Sequence, residues 1–266
     1  MKAICKDLSD EYQVLDDLVA SLDSVDWKKK TPFFGWTVKD EISHIAYFDQ
    51  QAVVSALNPD IFRDYLDILM HEFVSFDVLH SKINTVGSQM TTNGLLFWWR
   101  NERNALLDAY GSIEPKARLP WYGPPMSARS SATARLMETW AHGQDIADAF
   151  GIRREPTDRL KHIAHIGFST LIWSFVNRGL SAPENPVRLE LESPSGDLWI
   201  WGEVQSGDCV KGTAQDFCLV VTQRRHVNDT GLIVEGDMAR QWMTIAQAFA
   251  GPPENGPEPG ERMGFR

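Results

Sequence analysis

The sequence predicts an α+β protein. An N-terminal up-down helical bundle over residues 1–180 precedes a small α+β domain over 181–251 and a flexible tail over 252–266. Three observations carry this. Apolar residues recur at spacings of three and four through the first part of the chain, the period of a helix with one buried face. The period drops to two at Val187-Arg-Leu-Glu-Leu-Glu192, the alternation of a half-buried strand. The last residues, Gly251 to Arg266, are dominated by Pro and Gly, which neither helix nor strand tolerates well.

The elements follow in order. Leu8, Tyr12, Leu15, Val19, Leu22 and Val25 form the first apolar stripe, with a break over Lys28 to Gly35. Thr37-Val-Lys-Asp40 opens the next helix as a capping box with Asp in the place of Glu. That helix carries Val38, Ile42, Ile45, Phe48 and Ala52 and ends near Asn58. Pro59 suits the first turn of a third helix, through Phe62, Leu66, Leu69, Phe73 and Phe76. Asn93 is the expected cap of a helix over Leu95 to Tyr110, stopped at Gly111. Ser112 to Ser127, with Pro115, Pro120, Pro124 and Pro125 around Trp121 and Tyr122, reads as a loop long enough to cover a site. Helices over Ser131 to Phe150 and Thr157 to Asn177 end at Gly151 and Gly179. A linker, Ser181 to Pro186, leads to a hairpin of Val187–Glu192 and Leu198–Gly202 around Pro194-Ser-Gly-Asp197. A strand at Cys209–Gly212, a helix over Ala214–Thr222, a strand at Leu232–Glu235 and a helix over Met238–Ala250 complete the second domain.

Composition narrows the function. Of 266 residues, 43% are hydrophobic and 23% charged, a globular balance that excludes bulk disorder. A net charge of −10 argues against a nucleic-acid surface, which needs clustered Lys and Arg. Three scattered cysteines, Cys5, Cys209 and Cys218, make neither a disulfide framework nor a zinc ribbon, which points to a reducing cytoplasmic setting. Met1 to Asp10 lacks the apolar core of a signal peptide, and no apolar run is long enough to span a membrane. The partners expected are small molecules. The ten tryptophans are mostly core side chains, with some free to line a pocket.

The sharpest chemical feature is Glu138-Thr-Trp-Ala-His142. Four residues along a helix bring two side chains to about 40° apart around the axis and about 6 Å apart along it. A carboxylate and an imidazole so placed can share one metal ion, though the same pair also occurs on solvated helix faces. His44, beside the apolar stripe of its helix and near Phe48, is the best third ligand. Two His and one carboxylate leave open positions and suit Zn²⁺ or, as a facial triad, Fe²⁺. Asp145 is placed to hold the second nitrogen of His142, and Arg135 to pair with a ligand or substrate carboxylate. His162-Ile-Ala-His165, with Asp158 before it, and His71 with His80 are rival clusters. Arg224-Arg225-His226 offers a grip for a carboxylate, or solvated loop charge. No nucleotide-binding glycine motif, nucleophile elbow, HExxH or activated cysteine is present.

Two segments carry a family resemblance. Trp36-Thr-Val-Lys-Asp-Glu-Ile-Ser-His44-Ile-Ala resembles the first-ligand segment of the DinB-like metal-binding helical bundles, and more narrowly of the mycothiol-dependent maleylpyruvate isomerase group. Arg135-Leu-Met-Glu138-Thr-Trp-Ala-His142-Gly-Gln-Asp145-Ile-Ala is similar to the segment that supplies the other two ligands. Gly212-Thr-Ala-Gln-Asp-Phe-Cys, Gln223-Arg224, Val234-Glu-Gly-Asp237 and Trp242 resemble the small C-terminal domain of that group. The resemblance implies a divalent metal, zinc first and iron second, on His44, Glu138 and His142. It also implies a low-molecular-weight thiol, mycothiol or glutathione, as cofactor. The group's substrate-binding C-terminal arginine, which faces the metal, corresponds to Arg224, preceded here by Gln223 where Gly is usual.

The expected activity is a metal-dependent, thiol-using isomerase or transferase acting on a small electrophilic acid. A metal with an open position keeps a thiol as thiolate near neutral pH, and an arginine, Arg224 or Arg135, holds the substrate carboxylate. A non-heme iron enzyme with the same ligands, and a metal-binding stress protein without turnover, are the alternatives.

Overall fold

The structure is a computed structural model that describes residues 1–33, 35–72, 76–183, 187–203 and 207–262. It divides into two compact units, Met1–Phe150 and Gly151–Arg266.

In the first unit, helices α1 (Lys2–Val19), α2 (Val38–Leu57), α5 (Thr92–Ser112) and α6 (Ala128–Phe150) form the core. α1 packs on α5 and α6, and α2 packs on the same two helices from its own side. α3 (Pro59–Glu72) and α4 (Phe76–Ser88) lean on α2. The α1 stripe is buried at Leu8, Tyr12, Leu15 and Val19, but the helix stops there. Past its end the Asp23 carboxylate accepts the N–H groups of Val25 and Asp26 and turns the chain; Val25 is exposed and Trp27 is in the core. The capping box that opens α2 is present, with Thr37 and Asp40 each accepting the other's backbone N–H. Pro59 starts α3 as expected, while Phe73 of the third stripe lies outside the described residues. α5 begins earlier than expected because Thr91, not Asn93, is its cap and accepts the N–H of Gly94. It also passes Gly111 by one residue.

The loop after α5 is a tight excursion with a two-residue antiparallel pair, β1 (Arg118–Leu119) and β2 (Met126–Ser127). Trp121 and Tyr122 sit at its tip. Ser55 of α2 anchors it by donating to the Pro120 carbonyl at 2.6 Å.

The second unit begins before residue 180. α7 (Leu160–Ser169) packs on α9 (Ala214–Val221), and α8 (Leu171–Val176) packs on α10 (Asp237–Ile245). These helices therefore group with the C-terminal elements, and the division falls at 150/151 rather than near 180. Sequence periodicity separates helix from strand, but a helix can pack on a sheet as well as in a bundle. The sheet has the order β4-β3-β5-β6, with β3 (Val187–Glu192), β4 (Leu198–Trp201), β5 (Asp208–Thr213) and β6 (Ile233–Glu235). The β3–β4 hairpin and the β5–β6 pair are antiparallel and β3–β5 is parallel. Val187, Leu189 and Leu191 of β3 are buried, as are Phe217, Val221 and Trp242 of the helices beside the sheet. Part of the linker, residues 184–186, lies outside the described residues.

The tail expected to be flexible makes specific contacts. Gln223 donates to the Glu254 carbonyl at 2.7 Å, Gln247 donates to the Pro252 carbonyl at 3.0 Å, and the Gly260 N–H reaches Asp229 at 2.8 Å. Among the described residues no helix is long and apolar enough to cross a membrane.

Candidate metal centre

α2 and α6 run against each other and bring polar residues into an otherwise apolar core. α6 buries Arg135, Thr139, His142, Gln144 and Asp145, far more polar side chains than packing alone requires. α2 buries Glu41, His44 and Asp49.

Three ligand-type atoms converge between the helices. Glu138 Oε2 lies 3.3 Å from His142 Nε2 and 3.7 Å from His44 Nε2. The ligand atoms of a four-coordinate zinc ion at 2.0–2.1 Å stand about 3.3–3.4 Å apart. The donor set and its spacing therefore fit one divalent ion. Both histidines are buried, while the Glu138 side chain is 23% exposed, so the cluster is approached from the Glu138 side. Burial opposes the charge on Glu138. The contacts with His142 and His44 and the positive charge of Arg135 outweigh it and hold the carboxyl well below the usual range.

Behind His142 the arrangement differs from the expectation. Asp145 Oδ2 is 3.9 Å from His142 Nδ1, beyond hydrogen-bond reach. Glu41 Oε2 is 2.6 Å from the same nitrogen. A carboxylate three residues along the same helix does not reach back to the ring, whereas Glu41 crosses from α2 directly onto it. Glu41 in turn accepts the hydroxyl of Thr31 at 2.5 Å. Burial lifts the Glu41 carboxyl, and His142 and Thr31 pull the other way. Sequence patterning does not single out Glu41. Its signal is an acid three residues before His44, on a stretch of α2 that is buried throughout.

Arg135 is placed on Asp49, not toward the ligand cluster. Its Nε donates to Asp49 Oδ1 at 2.9 Å, the Tyr12 hydroxyl donates to the same oxygen at 2.7 Å, and both partners of the ion pair are almost wholly buried. Removing one member of such a pair costs about 3–5 kcal/mol, so Arg135 ties α2 to α6 and adds positive charge near Glu138.

An aromatic wall surrounds the histidines. The Trp36 ring lies parallel to His142 with centroids 5.9 Å apart, and Phe33 meets the same ring edge-on at 5.2 Å. Phe48 lies 4.7 Å from His44 and in turn touches Trp121 and Tyr122 at the loop tip. The hydroxyls of Tyr47 and Tyr65 lie 2.6 Å apart beside them, and burial pushes both the Tyr47 and Tyr122 phenols above their usual values. The loop thus packs on the α2 face that carries His44.

The other candidates go elsewhere. Among the described residues neither His71, His162 nor His165 joins a ligand-type cluster, and the His80 side chain lies outside those described. Asp158 accepts the N–H of Ser195 at 3.2 Å, in the hairpin turn. Arg224, in the second unit, is buried and donates to the Thr222 carbonyl at 2.6 Å. Burial raises the thiols of Cys5, Cys209 and Cys218 above their ordinary value.

Comparison with known proteins places the chain. The family described as the mycothiol maleylpyruvate isomerase N-terminal domain matches residues 8–147. Uncharacterized proteins from two strains of Mycobacterium tuberculosis are each 41% identical over 251 residues, 94% of this chain and 96% of theirs. The crystal structure of the mycothiol-dependent maleylpyruvate isomerase covers 88% of this chain and 92% of its own, with a TM-score of 0.57. A histidine-to-alanine variant of that enzyme covers 82% and 87%, with a TM-score of 0.55. At 14% identity those two structures share the fold alone. The sequence match over residues 8–147 of the helical unit shows that the chain belongs to the mycothiol maleylpyruvate isomerase N-terminal domain family.

Proposed function

We propose that this protein is a metal-dependent, thiol-using isomerase or transferase that acts on a small electrophilic acid. The observation that carries the reading is the convergence of one ligand-type atom from each of His44, Glu138 and His142 within 4.8 Å of one another. Two imidazoles and one carboxylate form a three-ligand set of the catalytic kind, with room for an exogenous ligand. A zinc ion held there would supply a thiolate from a bound low-molecular-weight thiol near neutral pH.

The chain's own residues do the rest. Trp36, Phe33 and Phe48 exclude water around the histidines and keep the local dielectric low. Arg135, through Asp49, keeps α2 and α6 in the relative position that the ligand set requires. Arg224 is the proposed partner of the substrate carboxylate, and Lys there would lose the bidentate grip.

The test is calorimetric titration of the zinc-loaded protein with mycothiol and with glutathione, paired with a maleylpyruvate isomerisation assay. Thiol binding below millimolar concentration that depends on zinc supports the reading. Metal bound without thiol affinity overturns it. The same donor set also suits ferrous iron, and iron content with oxygen consumption after purification identifies that alternative.

A further inference from the structure

The two nitrogens of His142 meet carboxylates at different distances, and the difference separates their roles. Nε2 stands 3.3 Å from Glu138 Oε2, the spacing of two atoms that share an ion. Nδ1 stands 2.6 Å from Glu41 Oε2. That is too short for two ligands of a common ion and right for a charge-assisted N–H···O bond. Glu41, His142 and Asp145 form a second converging trio, all buried. The 2.6 Å contact makes it a proton-holding group and not a second cation site.

We propose that Glu41 is a positioning residue of the metal centre. It keeps the His142 proton on Nδ1, turns the Nε2 lone pair toward Glu138 and makes the imidazole a stronger donor. This rests on the metal reading given above. Glu41 is itself held from two directions. It stands in the first turn of α2, whose start is set by the Thr37–Asp40 capping box. The Thr31 hydroxyl occupies its other oxygen at 2.5 Å, and the Thr31 N–H donates to the Trp36 carbonyl at 2.6 Å. The segment that orients Glu41 is thus the segment that lays Trp36 over His142. Asp145 lies too far from Nδ1 to hydrogen-bond it and adds negative charge near that nitrogen.

The experiment compares wild type, Glu41→Gln, Thr31→Val and Asp145→Asn. Zinc affinity is measured by chelator competition, and the His142 tautomer in metal-free protein by ¹⁵N NMR. Glu41→Gln keeps the volume of the side chain, and thermal unfolding confirms that each variant is folded. Zinc binding should weaken about 10–100-fold in Glu41→Gln. The loss should be smaller in Thr31→Val and smallest in Asp145→Asn. The metal-free wild type should hold the Nδ1–H tautomer, and Glu41→Gln should populate both. A role confined to packing would leave the tautomer unchanged. Wild-type affinity together with the wild-type tautomer in folded Glu41→Gln overturns the proposal. Failure of wild type to bind zinc instead overturns the metal reading, and the tautomer of the metal-free protein still decides what Glu41 does to His142.

Discussion

His142 carries more of the candidate site than any other side chain, because one of its nitrogens faces Glu138 and the other Glu41. His142→Ala should abolish stoichiometric zinc binding while leaving the helical content intact. Full zinc content in the purified variant, read by elemental analysis, would show that the ligands lie elsewhere. Gln223 makes a second residue-scale case. It follows the end of α9 with φ of +59°, the left-handed region in which glycine carries no steric penalty. This explains why a Gly-Arg pair suits the position. Gln there compensates through its side-chain amide, which donates to the carbonyls of Ala246 and Glu254. Gln223→Ala keeps the strained backbone and loses both bonds, whereas Gln223→Gly loses the bonds but relieves the strain. Chemical denaturation should find both destabilised, with the glycine variant about 1 kcal/mol more stable than the alanine variant. The reverse order would mean that the backbone strain is negligible.

Helices are held to one another by a few charged clasps in addition to their apolar stripes. Asp16 of α1 accepts from Arg100 Nε at 2.9 Å and pairs with Arg103 at 2.6 Å, both on α5. Burial alone would raise the Asp16 carboxyl, but the two guanidinium groups more than offset it and hold the carboxyl below its ordinary value. A carboxyl depressed in the folded state contributes stability above its unfolded pKa and loses it as the pH falls through the folded one. The stability difference between wild type and Asp16→Asn should therefore be constant above about pH 5 and shrink below about pH 4. A difference that stays flat down to about pH 2 in urea titrations would show that the clasp has no ionic component. α1 also illustrates a limit of periodicity. Leu22 and Val25 continue its spacing, yet the Asp23 side chain captures the N–H groups of Val25 and Asp26 and turns the chain away from the helix.

At the scale of the whole chain, all three candidate ligands, Glu41, Thr31 and the aromatic wall belong to the unit Met1–Phe150. A fragment of residues 1–150 should fold and bind one zinc per chain, read by circular dichroism and metal analysis. A folded fragment without zinc would show that the second unit is needed to complete the centre. The second unit has its own core of sheet, α7, α9 and α10, so the fragment removes no element from the bundle.

The features that follow from the chain alone are local. The stripes of α1 and α2, the Thr37–Asp40 cap, the β3–β4 hairpin and the placing of Glu138 and His142 one turn apart on α6 depend on residues a few positions away. Packing in three dimensions sets which side chains meet across helices. It brought His44, not His162, to Glu138. It put Glu41, 101 residues distant in the chain, on His142 in place of Asp145, and gave Arg135 to Asp49, 86 residues away. It also grouped α7 and α8 with the sheet. The physical reason is that periodicity identifies the buried face of a helix but not the element that buries it. A different seating of α2 against α6 would exchange the partners of Glu138, His142 and Arg135 with the residues of each stripe unchanged.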